Sequence, residues 1–169
     1  MSSVTLIPCI GCGALVPDVD GPTHRYVGAS AGCWAIFNTV SVRHYENPAL
    51  GAVHQFLVDA YMAQHPGRPT PQATQSVTVH LISLCLAFEH GYDPIQRIAA
   101  LSFATRWRDD FVWLTPPMSL GSLTIHDVHD AREAAAPIAV TQVYARAVWD
   151  AWSVYHGTIR QWAAKVRGR

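Results

Sequence analysis

The amino-acid sequence predicts an all-α fold, a compact bundle of five or six helices carrying an irregular, cysteine-containing N-terminal segment. Three observations predict it. From residue 30 onward apolar residues recur at helical spacing. Proline and glycine cut that pattern into pieces of helical length, yet crowd the opening segment too densely for any long helix. No strand of note, internal repeat or low-complexity tract interrupts the pattern.

In the opening segment, 1–32, Pro8, Gly11, Gly13, Pro17, Gly21, Pro22, Gly28 and Gly32 mark a turn-rich stretch. A first helix is expected over 33–45, where Trp34, Phe37, Val40 and Val42 recur, and Asn47-Pro48 ends it. A second spans 48–65, with Val53, Phe56, Leu57, Ala60 and Tyr61 on one stripe. Pro66 stops it, because the residue before proline leaves the helical region. After a loop a third helix covers 76–90, closed by Gly91. Asp93-Pro94 supplies a cap and first-turn pair for a fourth, over 94–107. A loop over 113–121 leads to a short helix starting near Thr124. The last helix is expected over 137–164, with Trp149, Trp152, His156 and Ile159 along one stripe.

At 169 residues the chain fits a single helical domain over 1–169, and its 50% apolar and 14% charged residues provide a real core. Such a chain does not need a metal merely to fold. Twelve basic residues balance twelve acidic ones. Nucleic-acid binding is not expected, since a strongly basic face is its usual footprint. Arg160, Lys165, Arg167 and Arg169 read as the solvated end of a last helix, where cations are favoured. The opening residues lack a signal-peptide pattern, and the apolar stretch 77–88 is short of the about 20 residues that a membrane span needs. A cytoplasmic protein is expected, with its four cysteines as thiols or metal ligands rather than bridges.

Cys9-Ile-Gly-Cys12-Gly13 is the strongest local feature. Two cysteines so spaced, with glycine after the second, make a tight knuckle in which both sulfurs reach one tetrahedral ion. A redox pair and unligated thiols are the alternatives. Cys33 stands at the start of a helix, where the dipole favours a thiolate, or is simply a small buried hydrophobe. His24, in the loop between, completes a sterically plausible set of Cys9, Cys12, His24 and Cys33. Cys85, inside an apolar helix, reads as core.

A second constellation lies on the 48–65 helix. Helical geometry puts His54, Tyr61 and His65 on one face and Asp59 on another. His54 and His65 are about 16 Å apart along the axis and cannot share an ion. Tyr61 and His65 can meet. If the next helix returns after a loop of about ten residues, His80 comes level with His65 and Tyr61. That makes a metal or acid–base cluster, or a hydrogen-bonded polar layer. His65, beside the helix-ending proline, reads as a ligand. His126 and His129, three apart on the short helix, could bind an ion but read first as surface groups, His44 and His90 read as helix-end cations, and His156 either lines a pocket with aromatic walls or is the polar edge of a core face. No common hydrolase, metallopeptidase or nucleotide-binding motif is present.

Six strings, CIGCGA at 9–14, GPTHRYVGASAGCWA at 21–35, VDAYMAQHPG at 58–67, VHLISLCLAFEHG at 79–91, WLTPPMSLGSLTIHDV at 113–128 and VWDAWSVYHGTIRQWA at 148–163, resemble those of an uncharacterised bacterial family, domain of unknown function 5946. The resemblance spans nearly the whole chain and brings no activity with it. It implies that Cys9, Cys12, His24, Cys33, Asp59, Tyr61, Gln64, His65 and His80 belong to motif strings. Ala31-Gly32 before Cys33, where Pro-Gly is expected, departs from that pattern. The C-terminal strings are also faintly similar to metal-binding helical bundles of the DinB-like kind.

Two functions follow as expectations. In the first, zinc held by three protein ligands drawn from the candidates Cys9, Cys12, Cys33, His65 and His24 keeps one position open and acts on a small molecule by hydrolysis, dehydration, cyclisation or group transfer. Asp59, Tyr61 and His80 would then move protons. In the alternative, four ligands close a structural zinc site in a non-catalytic helical module that binds a partner or small ligand. The coordination number decides between them.

Overall fold

The computed structural model describes residues 5–133 and 136–168. Two strands, β1 (Leu6–Pro8) and β2 (Leu15–Pro17), precede seven α-helices: α1 (Ala31–Glu46), α2 (Gly51–Gln64), α3 (Pro71–His90), α4 (Pro94–Leu101), α5 (Ile125–Asp130), α6 (Ala136–Ala151) and α7 (His156–Arg167). Short 3₁₀ turns occupy Pro48–Leu50, Ala104–Asp110 and Ser153–Tyr155. The helical class expected from the sequence is correct, and the helix count is slightly higher than five or six.

The strands were not anticipated. They pair antiparallel, with Leu6 opposite Pro17, Ile7 opposite Val16 and Pro8 opposite Leu15. Each is three residues long and ends in proline, too short for alternation to show and limited to an edge by the missing N–H. Their consequence is local. The Cys9–Cys12 knuckle is the turn of this hairpin, closed by Cys9 N–H to the Ala14 carbonyl (2.8 Å) and Gly13 N–H to the Cys9 carbonyl (2.9 Å). Gly13 has φ 75°, the left-handed conformation that glycine adopts at little cost.

α2 lies at the centre of the helical body. It packs on α3 and α6, while α1 covers α2 and α5, and α7 closes over α3. Leu57, Ala60, Tyr61, Leu81, Leu84, Tyr144, Trp149 and Trp152 are fully or almost fully buried between them. Burial of aromatic side chains of this size dominates such a core. Gln64 fastens the end of α2: its amide donates to the Leu120 and Leu123 carbonyls (3.0 and 2.8 Å) and its oxygen accepts from Tyr144 (2.9 Å).

Three boundaries differ from expectation. α3 begins at Pro71, five residues earlier than expected, because Thr70 caps it through Ala73 N–H and Pro71 takes the first helical position. α4 stops at Leu101 and the chain continues as a 3₁₀ turn. The single helix expected over 137–164 breaks at Ser153–Tyr155. At the break the Trp149 carbonyl accepts from Trp152 N–H (3.1 Å) and from His156 Nε2 (2.9 Å), so that peptide oxygen keeps its partners where the helix is interrupted. The His156 ring stacks on Trp149 at 3.8 Å. His156 is thus the side-chain lock of a helix break.

Candidate metal centre

Four side chains from three parts of the chain converge where the hairpin meets the helices. Cys9 and Cys12 come from the knuckle, Cys33 from the first turn of α1 and His65 from the C-terminal cap of α2. One ligand atom from each lies within 4.8 Å of every other. Cys9, Cys33 and His65 are buried and Cys12 is half-buried. Cys12 Sγ is 3.9 Å from Cys33 Sγ, and Cys33 Sγ is 3.4 Å from His65 Nε2. A tetrahedral zinc with Zn–S about 2.3 Å and Zn–N about 2.0–2.1 Å requires separations of roughly 3.8 Å between sulfurs and 3.5 Å from sulfur to nitrogen. The two measured separations match those edges.

Local structure places each donor. Pro66 removes His65 from helical geometry (φ −124°, ψ 60°), and Gly28 N–H binds the His65 carbonyl at 3.0 Å. His65 Nδ1 donates to the Tyr61 carbonyl at 2.8 Å, which leaves the Nε2 lone pair for the cluster. Ser30 occupies the cap position of α1 but does not cap it with its side chain. Its Oγ instead accepts from Ile10 N–H at 3.1 Å, holding the knuckle to the start of α1. Gly11 allows the approach, since a Cβ there would collide with the Gly28 carbonyl and the His65 ring.

Three thiols packed this closely cannot all ionise on their own. Hydrogen bonds from Cys12 and Cys33 hold the Cys9 thiol far below its usual range. The Cys12 and Cys9 sulfurs, together with burial, push Cys33 far above it. Burial works to lower the His65 pKa, but hydrogen bonds with Cys12 and Cys9 outweigh it and raise the value to about 9. A divalent cation relieves this crowding directly, by compensating thiolates and taking the imidazole lone pair. The donor set therefore fits a soft or borderline ion.

The other candidate residues lie elsewhere. Tyr61 sits behind the cluster, its hydroxyl donating to Cys33 Sγ at 3.5 Å and its ring stacked on Phe37 (4.0 Å) and His65 (4.1 Å). Burial, then the neighbouring Cys33, raises its pKa far above the usual phenol value. His24 is outside the four-residue group: its ring packs on Tyr26 and Trp34 at 4.5 and 5.2 Å.

His80 is not level with His65. With α3 starting at Pro71, His80 lies well inside the helix and meets Asp59 on the other side of α2. Asp59 is fully buried and accepts four hydrogen bonds, from Gln55 (2.9 Å), His80 Nδ1 (2.8 Å), Ser83 (2.5 Å) and Arg97 (3.1 Å). Ser83 and Arg97 carry no local sign in the sequence of such a partner, being a serine and an arginine on amphipathic helices. His54 faces His44 and Tyr45 at 5.8 and 4.4 Å. A second group, Cys85, Glu89 and His90, also has ligand-like spacing. Two of its members already have other partners, Glu89 with Arg160 and His90 with Arg167.

A family model described as a family of unknown function (DUF5946) matches residues 7–153. The chain belongs to this family. The matched span holds all four clustered side chains and ends before α7. No curated protein and no solved structure matches the chain. No helix among the described residues is long and apolar enough to cross a membrane.

Proposed function

We propose that this family member is a zinc-binding protein in which Cys9, Cys12, Cys33 and His65 hold one ion in a closed, structural site, and that the helical body is a non-catalytic binding module. The carrying observation is the convergence of four donors within 4.8 Å of one another, with the Cys12–Cys33 and Cys33–His65 separations at the length of tetrahedral edges. Three thiolates and a neutral imidazole make a complete structural zinc set, whereas a catalytic zinc keeps a position for water or substrate. The ion would join the hairpin to α1 and α2, adding to the bond from Ile10 N–H to Ser30 Oγ.

The metal-dependent enzyme reading loses support on two counts. Four protein donors leave no open position. The expected proton-moving groups are also displaced: Asp59 and His80 are engaged on the far side of α2, and the buried Tyr61 hydroxyl is held protonated.

Elemental analysis of untagged protein tests this, with Cys12→Ser and His65→Ala alongside. The expected result is about one zinc per wild-type chain and loss of the metal from both variants. Cobalt substitution should give the intense visible bands of a four-coordinate thiolate site. A pale, five- or six-coordinate spectrum would favour the enzyme, and wild-type protein without metal would sink both readings.

A further inference from the structure

The zinc loops form one wall of a cleft of about 720 Å³, within the range of small-molecule sites. Ile10 and Gly11 of the knuckle line it, as do Pro66 and Gly67, which follow His65, and Pro117 and Met118 of the 113–121 loop. Ile10 and Met118 are strongly exposed apolar side chains facing this space. Arg25 and Arg68 also line it, and no Asp or Glu does.

These two arginines stand apart from the other described cations. Carboxylates hold Arg97, Arg108, Arg160 and Lys165. Histidine nitrogens or backbone carbonyls hold Arg43, Arg132 and Arg167, and Arg106 and Arg146 lie over aromatic rings. Among the described residues only Arg25 and Arg68 have no such partner, and both border the same cleft. In a chain whose formal charges balance, two uncommitted guanidinium groups beside an apolar recess leave a local positive field.

We infer that this cleft binds a small organic anion with an apolar body, its acidic group held by Arg25 and Arg68 and its body laid against Ile10, Pro117 and Met118. Guanidinium is the donor of choice for carboxylate, sulfonate or phosphate oxygens, through paired N–H groups. The inference extends the binding-module reading, and the zinc contributes by shaping the knuckle wall rather than by touching the ligand.

Anilinonaphthalene sulfonate, an aromatic anion that fluoresces on leaving water, is the probe, with uncharged phenylnaphthylamine as its control. Wild type should bind the sulfonate saturably. Arg25→Gln/Arg68→Gln should weaken it by about tenfold or more while changing phenylnaphthylamine by less than about twofold. Met118→Ser should weaken both. Hexanoate should displace the sulfonate, and inorganic phosphate at equal concentration should not. Near-UV circular dichroism and zinc content, measured on the same samples, should match wild type. Equal sulfonate binding by wild type and the double arginine variant, or no binding by wild type, overturns the inference. Arginine-dependent binding in a protein found to hold no zinc would support the cleft while removing the metal reading; zinc-loaded protein without that dependence would do the reverse.

Discussion

His65 donates from Nδ1 to the backbone carbonyl of Tyr61, one helical turn earlier, at 2.8 Å. This bond fixes the imidazole tautomer and aims Nε2 at Cys33, the arrangement by which histidine ligands are usually oriented. It uses the Tyr61 backbone, so the phenol is free for another role. Its hydroxyl touches Cys33 Sγ at 3.5 Å, a weak contact in a fully buried place. Tyr61→Phe should therefore keep the ring stack and the metal, at a stability cost of about 1 kcal/mol or less. Thermal unfolding and zinc content check this; loss of zinc would show that the hydroxyl, and not the carbonyl, secures the site.

Gly11 meets two surfaces at once, the Gly28 carbonyl and the His65 ring. Gly11→Ala must push the knuckle away from His65, because neither the backbone nor a ring held at both nitrogens can yield cheaply. Faster zinc release to a chelator and a lower melting temperature are expected. Gly51→Ala is the control, since a Cβ there meets nothing within 4 Å. Equal release rates in the two variants would show that the hairpin does not rest on His65 in solution.

Asp59 and Arg97 form an almost fully buried pair, with side-chain exposures of 0% and 1%. Arg97 Nε and Nη2 find no hydrogen-bond partner among the described residues, and its guanidinium lies over Phe56 at 4.4 Å. Removing one member of such a pair strands the other charge. Asp59→Leu should lose about 3 kcal/mol or more in urea unfolding, whereas Asp59→Leu/Arg97→Met should recover much of it. Both should keep zinc, which separates this cluster from the metal centre. Zinc loss from the double variant would mean that the two sites are coupled through α2.

The four side chains that cluster here each carried a local sign in the sequence. The CxxC spacing joins Cys9 to Cys12, a helix start marks Cys33, and a proline marks the end of the helix at His65. What joins them was not legible, because it depends on packing. His24 sits between the knuckle and Cys33 in sequence, yet its ring is taken up by Trp34 and Tyr26. The early start of α3 was encoded as a Thr70-Pro71 cap, hidden among Pro66, Pro69 and Pro71, and that shift moved His80 from His65 to Asp59. The break before α7 has no proline or glycine within it; the bond that permits it comes from the His156 side chain. Arg97, on a short amphipathic helix, looks solvated until Asp59 is placed opposite it.

His44 is 2% exposed, and neither ring nitrogen has a hydrogen-bond partner among the described residues. Burial lowers its pKa from the usual 6.5 to about 4, helped by the neighbouring His54 and Arg43. Between those two values the unfolded chain takes up a proton that the native protein refuses. Stability is therefore complete above about pH 6.5 and falls as pH drops towards about 4. The loss attributable to His44 reaches about 1 kcal/mol by about pH 5.5 and about 3 kcal/mol at the lower end. His44→Leu removes this proton, so between about pH 7.5 and about pH 5.5 it should lose about 1 kcal/mol less than wild type. Contributions from the thiolate cluster are common to both proteins and cancel in the difference. His54, whose pKa burial also lowers, should leave the variant a residual slope. Parallel stability curves would mean that His44 is solvated or partnered in solution.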